Sequence, residues 1–212
     1  LDDTQKEKYR ELTQKLNKLE LKFQENTLKE TDSFSLHITD KKQLDGLPAT
    51  LVESAAVAAK EAGKEGWIFT LHRPSYVPFM CFSTQRDLRK QLYMAYSSLG
   101  AKGDEYDNRA LVVQIVNTRL ELANLLGYNT YSDYITSQRM ARNSDNVFSL
   151  LGRLTWSYLP TAHRETDEIR ELAREIEGDD FEMMPWDFLY YSEKLKQKKQ
   201  MLNALSASNS LE

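Results

Sequence analysis

Residues 66–80 decide the fold of this chain, and they read Gly-Trp-Ile-Phe-Thr-Leu-His-Arg-Pro-Ser-Tyr-Val-Pro-Phe-Met. Trp67, Phe69 and Leu71 would lie on one face of an extended segment, with the intervening residues on the other. Aromatic and β-branched residues at this spacing are typical of a β-strand. The opening of the stretch therefore predicts a strand.

Two prolines follow the predicted strand. Pro74 and Pro78 lack a backbone N–H donor, so they are expected to exclude both a regular helix and a central strand. The sequence therefore predicts a rigid, aromatic-rich crossing after the strand.

The predicted strand needs a hydrogen-bonded partner, because buried backbone groups have to be satisfied. Phe34, Leu36 and Ile38 alternate with polar residues and are the best candidate. Residues 48–62 between the two strands read as a helix that ends before Gly63. A strand, a helix and a strand in succession favour a right-handed parallel crossover. An antiparallel pairing remains open.

Most of the remaining chain shows helical periodicity. Residues 4–26 carry a heptad seam formed by Tyr9, Leu12, Leu16, Leu19 and Phe23. This seam predicts an amphipathic helix packed against another helix of the same chain, with an intermolecular coiled coil as the alternative. The predicted fold is mainly α, a multi-helix domain with a small two-stranded β element.

Five further helices are expected, at residues 84–100, 107–126, 130–140, 144–176 and from Pro185 onward. Thr84, Thr130 and Ser144 are expected to cap helix N-termini.

Two residues inside these predicted helices need explanation. Pro160 is expected to kink or divide its helix. Arg119 lies on an apolar stripe, where a buried arginine would require a charged partner, but an aliphatic stem that reaches water is favoured.

Composition excludes several classes of protein. The chain has 212 residues, of which 41% are hydrophobic and 28% charged, as in ordinary globular proteins. The net charge of −4 gives no electrostatic footprint for nucleic acid. No apolar run approaches the ~20 residues that a membrane span needs. Cys81 is the only cysteine, which favours a reducing compartment, and a cytoplasmic location is predicted.

The residues by themselves show no catalytic constellation. The three histidines, His37, His72 and His163, do not have metal-ligand spacing, although His37 and His72 could be neighbours on the two strands. Cys81 lies in an apolar stretch without an adjacent base, so a buried, inert thiol is favoured over a nucleophile.

A set of short motifs nevertheless occurs in a specific order. The motifs are Leu44–Pro48, Gly66–Leu71, Pro74–Met80, Arg86, Leu88-Arg89, Asp107-Asn108, Leu125–Tyr128, Tyr131–Tyr134, Met140-Ala141, Pro185–Asp187 and Tyr190–Glu193. From about Leu12 to Lys199, this set resembles the thimet oligopeptidase and peptidyl-dipeptidase family of zinc metallopeptidases, which also contains oligopeptidase A. Its bacterial peptidyl-dipeptidase branch looks nearest.

The resemblance implies a parent enzyme with two mostly helical halves that face a deep channel. It also implies that a zinc-bound water, deprotonated with help from a glutamate, attacks the carbonyl of a short, unstructured peptide. Trp186, Tyr190 and Tyr191 are candidates to line the channel, with core packing favoured.

The departures from the family pattern decide what this chain itself can do. Thr118 stands where an apolar residue is usual, and Ser132 where alanine is usual. The H-E-x-x-H motif, which supplies two zinc ligands and the general base, is missing from the sequence. No catalytic or metal residue of the family therefore has a matching position here, and binding residues are not assigned.

We expect residues 1–210 to be the helical, non-catalytic region of a larger peptidase, and Leu211-Glu212 to be an expression-tag remnant. On this interpretation the isolated chain is inactive, binds no zinc, lacks its C-terminal catalytic partner region and tends to self-associate. The alternative is a stand-alone helical binding or interaction module with no metal site.

Overall fold

The computed structural model describes the backbone of residues 1–209 and the side chains of residues 1–203. The expected tag remnant, Leu211-Glu212, lies outside the described residues. Within them the chain forms helices α1 Asp3–Ser33, α2 Ala49–Glu61, α3 Arg73–Phe82, α4 Arg86–Ser97, α5 Arg109–Leu125, α6 Tyr131–Ser137, α7 Ser144–Glu177 and α8 Phe188–Asn209, and strands β1 Leu36–Ile38 and β2 Trp67–Phe69. Short 3-10 helices occupy Lys41–Leu44 and Pro185–Asp187. The prediction of a mainly α fold with a two-stranded β element is confirmed.

The chain forms two compact units, and each contains two separate segments. Unit 1 contains residues 1–30 and 99–161, and unit 2 contains residues 31–98 and the described residues from 162 onward. Two of the boundaries fall inside the long helices α1 and α7. No Pro- or Gly-rich linker marks those boundaries, because helix continues across them.

The core of unit 1 is the contact between α1 and α5. Leu12 and Leu16 of α1 are buried against Ile115 and Leu122 of α5. The heptad seam therefore packs within the chain, as predicted.

Arg119 on α5 has both features expected of it. Its Nη2 donates to Glu20 Oε1 at 2.6 Å, and its side chain keeps 40% of its surface exposed. Its guanidinium also lies 5.2 Å from the centre of the Tyr131 ring. The charge is thus paired while the side chain reaches water.

A buried amide joins the start of α5 to α1. Asn108, which precedes α5, donates from Nδ2 to the Phe23 carbonyl and to Thr27 Oγ1, both at 3.1 Å. Its Oδ1 accepts from Asn26 Nδ2 at 3.0 Å. Because buried polar atoms stabilise a fold only when hydrogen-bonded, this amide fixes where α5 begins against α1.

In unit 2 the two strands pair antiparallel, so the predicted parallel crossover is wrong. Leu36 pairs with Phe69, and Ile38 pairs with Trp67. Residues 39–48 lead the chain away from the end of β1, and α2 returns it over about 20 Å, at 1.5 Å per residue. β2 therefore begins beside the residue where β1 ends, and the strands run in opposite directions.

Gly66 lies where the chain comes back close to the end of β1. Its φ is +91°, and a Cβ built on it would lie 2.3 Å from the Ile38 carbonyl oxygen. Only glycine adopts this left-handed backbone at so short an approach without strain.

The predicted proline-rich crossing is an α-helix instead. Pro74 is the second residue of α3, where the first-turn N–H has no helical acceptor, so the ring is tolerated. Pro78 lies inside the helix and removes only the bond to the residue 74 carbonyl. Tyr76, Phe79 and Met80 are buried on α3, and this burial outweighs that loss.

The capping predictions have mixed outcomes. Thr130 caps α6 as expected, since its side chain accepts from the Asp133 amide. Thr84 does not cap α4, because its hydroxyl donates to the Asp45 carboxylate at 2.7 Å. Asn143, rather than Ser144, accepts the capping bond at the start of α7.

Pro160 was expected to kink or divide its helix. The helix is not divided there, because α7 continues through Pro160 to Glu177.

The close approach at Gly66 predicts an effect on stability. Gly66→Ala should lower the free energy of unfolding by about 1–2 kcal/mol for the left-handed backbone. The steric overlap with Ile38 should lower it by about 1–3 kcal/mol more. Urea unfolding followed by circular dichroism measures both effects together.

Gly63→Ala is the matched control. Gly63 also has a positive φ of +67°, but nothing lies within 4 Å of a Cβ built there. This variant should show only the smaller backbone effect. Equal destabilisation of the two variants would mean that the approach to Ile38 does not constrain unit 2.

Candidate functional site

A cluster of charged residues with a buried centre lies in unit 2. Asp187 has no exposed surface, and its carboxylate accepts hydrogen bonds from two arginines of α4. Arg86 donates from Nη2 at 2.7 Å and from Nε at 3.1 Å, and Arg89 donates from Nη2 at 2.8 Å. Arg89 itself is only 1% exposed. Two guanidinium groups thus enclose one carboxylate.

Local backbone structure positions the cluster from both sides. Pro185 is the first residue of its 3-10 helix, and Asp187 Oδ2 accepts from the Met184 amide at 3.0 Å, which caps this turn. On the other side, Arg89 donates to the Ser83 carbonyl at 2.7 Å and to the Trp186 carbonyl at 3.3 Å. The turn before α8 and the start of α4 are therefore joined by charge-assisted hydrogen bonds.

Electrostatics keep the Asp187 carboxylate ionised. Burial alone would raise its pKa, but hydrogen bonds from Arg86, the Met184 amide and Arg89 outweigh burial and hold the pKa below its ordinary value. The hydrogen bond to Asp187 likewise raises the pKa of Arg86.

Aromatic rings cover the two guanidiniums. Arg86 lies 4.6 Å from the centre of the Phe181 ring, and Arg89 lies 4.1 Å from that of Tyr190. The contact of Arg89 is shielded from water and so adds to its hydrogen bonds, whereas the side chain of Arg86 remains 42% exposed. The ring of Tyr190 therefore packs against Arg89 inside unit 2.

The candidate channel residues lie in this same region. Tyr190 and Tyr191 are buried in the core cluster of unit 2, and Trp186 is half-buried. The Tyr191 hydroxyl donates to Glu177 Oε1 at 2.7 Å, and burial followed by this carboxylate raises its pKa. Both tyrosines thus take part in internal packing.

The geometry gives this cluster a structural role. Both oxygens of Asp187 are occupied by donors, and its lowered pKa leaves no proton to deliver near neutral pH. General acid–base chemistry requires a group that can exchange its proton near the operating pH. The role of the cluster is therefore structural: it fixes the start of α4 against the turn before α8.

The three histidines do not come together as one site. His37 Nε2 donates to the Glu65 carbonyl at 2.6 Å, and His72 Nε2 lies 2.9 Å from Asp32 Oδ1. His72 lies beyond the end of β2, and His163 is exposed on α7.

Cys81 is partly buried on α3. Burial and the nearby Glu193 carboxylate raise the pKa of its thiol. A raised pKa disfavours the thiolate form that acts as a nucleophile.

The part of the chain that the structure describes contains no group of three or more His, Cys, Asp or Glu side chains that could hold a metal ion. An apolar groove of about 390 Å³ lies in unit 2, with Leu51, Ala55 and Ile68 among its lining residues. A second, of about 440 Å³, lies between α1 and α5 in unit 1. Neither groove contains a set of catalytic groups.

The sequence does not predict the Arg86–Arg89–Asp187 cluster. In the sequence these three residues stand out only as members of the family motifs. One signal was available, since Arg89 lies three residues before the buried Leu92 and so shares its helical face. An arginine at such a position requires a buried partner.

The cluster predicts a pH-dependent loss of stability. Asp187→Asn leaves two guanidiniums without their carboxylate, so the free energy of unfolding should fall by about 3–5 kcal/mol at pH 7. The native Asp187 pKa is lowered, so its contribution is fully present above the unfolded value of about 3.9 and is lost as pH falls through the folded value. Urea unfolding of both proteins from pH 7 to pH 3 should show the difference shrinking below about pH 4.

Asp180→Asn provides the control for this series. Asp180 is exposed in the turn before the cluster, and its substitution should have little effect at any of these pH values. A difference between Asp187→Asn and the parent chain that stayed constant down to pH 3 would contradict the charge assignment.

Comparison with known proteins identifies the family. The model of peptidase family M3 matches residues 79–212. Organellar oligopeptidase A, chloroplastic/mitochondrial, from Arabidopsis thaliana is 36% identical over 96% of this chain and 26% of its own length. Oligopeptidase A from Haemophilus influenzae is 33% identical over 96% of this chain and 30% of its own length.

The dipeptidyl carboxypeptidase of Escherichia coli is 26% identical over 94% of this chain and 29% of its own length. These identities favour the oligopeptidase A proteins over the peptidyl-dipeptidase branch that the motifs suggested. The chain spans between about a quarter and a third of the length of the relatives it matches. Since the family model covers more than half of the chain, the chain belongs to peptidase family M3.

Proposed function

We propose that this chain is the non-catalytic helical part of a zinc metallopeptidase that cleaves short peptides, as an oligopeptidase or a peptidyl-dipeptidase. In this proposal it forms one wall of the substrate channel. The observation that carries the proposal is a family M3 match in a chain that covers only 26–30% of its relatives and has no H-E-x-x-H.

The residues present do not fit a zinc site. Zinc in proteins takes three or four nitrogen, sulfur or oxygen ligands from protein side chains. The ring nitrogens of His37 and His72 contact separate partners, and no larger ligand group occurs in the described residues. The proposal therefore assigns the metal to a part of the protein outside these 212 residues.

This chain would contribute a rigid surface to the enzyme and would supply no catalytic group. The Arg86–Arg89–Asp187 cluster fixes α4 against the turn before α8, and rigid elements of this kind hold a surface in a constant position. The partner required is the catalytic region of the same enzyme, and the substrates are short, unstructured peptides.

The compartment of the whole protein is also a proposal, and we propose the cytoplasm. No helix in residues 1–209 combines the length and apolarity needed to cross a membrane. The printed name of one relative assigns that relative to chloroplasts and mitochondria, so membership of the family does not determine a compartment.

The proposal predicts a clear difference in activity. The 212-residue chain should not hydrolyse a quenched fluorescent short peptide, with or without added zinc, because it lacks a ligand set. The complete polypeptide encoded by the same gene should contain H-E-x-x-H, and it should cleave that peptide and lose activity to a chelator. Fluorescence release measures both.

The His37→Ala, His72→Ala, His163→Ala triple variant is the control for trace activity. Zinc-dependent cleavage by the purified chain that survived repurification and disappeared in this variant would overturn the assignment. A gene that stops near residue 212 would instead favour the stand-alone binding module.

A further inference from the structure

The first half of α7 is exposed over most of its surface. Phe148 is 72% exposed, Trp156 is 84% exposed and Tyr158 is 66% exposed. Four leucines of the same stretch, Leu150, Leu151, Leu154 and Leu159, are also exposed. Seven large apolar side chains within twelve residues exceed the scattered exposed apolar residues of an ordinary protein surface.

The angular positions of these side chains show how much of the helix circumference is apolar. At about 100° per residue, Leu150, Leu151, Leu154 and Tyr158 lie on one side. Phe148, Leu159 and then Trp156 continue that surface around the helix, so apolar residues span about two thirds of the circumference.

The opposite side is polar and narrow. Ser149, Arg153 and Ser157 follow one another at intervals of four residues and form this stripe. A helix that is apolar over so wide an arc is a buried helix with one strip facing water.

We propose that residues 147–159 of α7 are the surface on which the remainder of the family M3 polypeptide docks. This inference rests on the proposed function, because it requires that a longer protein exists. In the longer protein, residues 147–159 would pack against the rest of the polypeptide.

The length of the relatives identifies the occupant. The matched region accounts for only 26% and 30% of the first two relatives, so more than two thirds of each relative lies outside it. A covalently connected region has a high effective concentration, which favours it over a free partner. The region that docks here must be apolar where it contacts the side of α7 formed by Leu150, Leu151, Leu154 and Tyr158. It must also leave Arg153 in water.

The available area fits an interface of ordinary size. At 150–250 Å² per aromatic side chain, and at their observed exposure, Phe148, Trp156 and Tyr158 offer roughly 350–550 Å². The four leucines raise this toward the roughly 800 Å² per partner of a standard stable interface.

Cysteine labelling tests the docking surface. In a Cys81→Ala background, Leu151→Cys and Leu154→Cys report the apolar side, and Ser149→Cys and Ser157→Cys report the polar stripe. Maleimide labelling rates are compared between the 212-residue chain and the complete polypeptide encoded by the gene. We expect the two leucine positions to label at least tenfold more slowly in the complete polypeptide, and the two serine positions to be unchanged.

Trp156 supplies a second measurement without substitutions on the leucine side. Its emission, obtained as the difference between the unsubstituted protein and Trp156→Phe, should shift to shorter wavelength in the complete polypeptide. Equal labelling of all four cysteines and an unchanged emission would overturn the inference.

Two further outcomes separate this inference from the proposed function. Protection that appears only as protein concentration rises would mean that a second copy covers the surface, and it would overturn the inference. Peptide cleavage by the complete polypeptide without protection would refute the docking surface and leave the proposed function standing. Protection without cleavage would refute the proposed function alone.

Discussion

The carboxylate of Asp187 is the constraint on which the arrangement of unit 2 depends. A fully buried charge is tolerated only when its partners are close and well oriented, since isolated burial costs several kcal/mol. Here Arg86 and Arg89 meet that requirement from α4, and the Met184 amide meets it from the adjoining turn. The start of α4, the turn at Pro185 and the first residues of α8 are therefore fixed relative to one another.

Features that depend on neighbouring residues were predictable from the sequence. The seam of Leu12 and Leu16 identified α1 and its packing inside the chain, and Thr130 identified the start of α6. These patterns succeed because helix periodicity and capping involve residues only three or four positions apart. The motifs that carried the family resemblance are likewise local.

Features that depend on distant residues were not predictable. The direction of β2 follows from where α2 returns the chain beside Ile38, and no property of either strand encodes that path. Pro78 is tolerated inside α3 because Phe79 and Met80 are buried there, and that burial cannot be read from the prolines. Arg89 finds its partner 98 residues further along the chain.

The division of α1 and α7 between the two units has a consequence for the order of folding during synthesis. Unit 1 has all of its residues once Thr161 has been made, whereas unit 2 needs residues on both sides of that insertion. Asp187 follows Arg89 by 98 positions and is therefore translated roughly 5–20 s later, at about 5–20 residues per second. Throughout that interval both arginines of α4 remain without their carboxylate. All residues of unit 1 are therefore synthesised before the charge cluster of unit 2 can form.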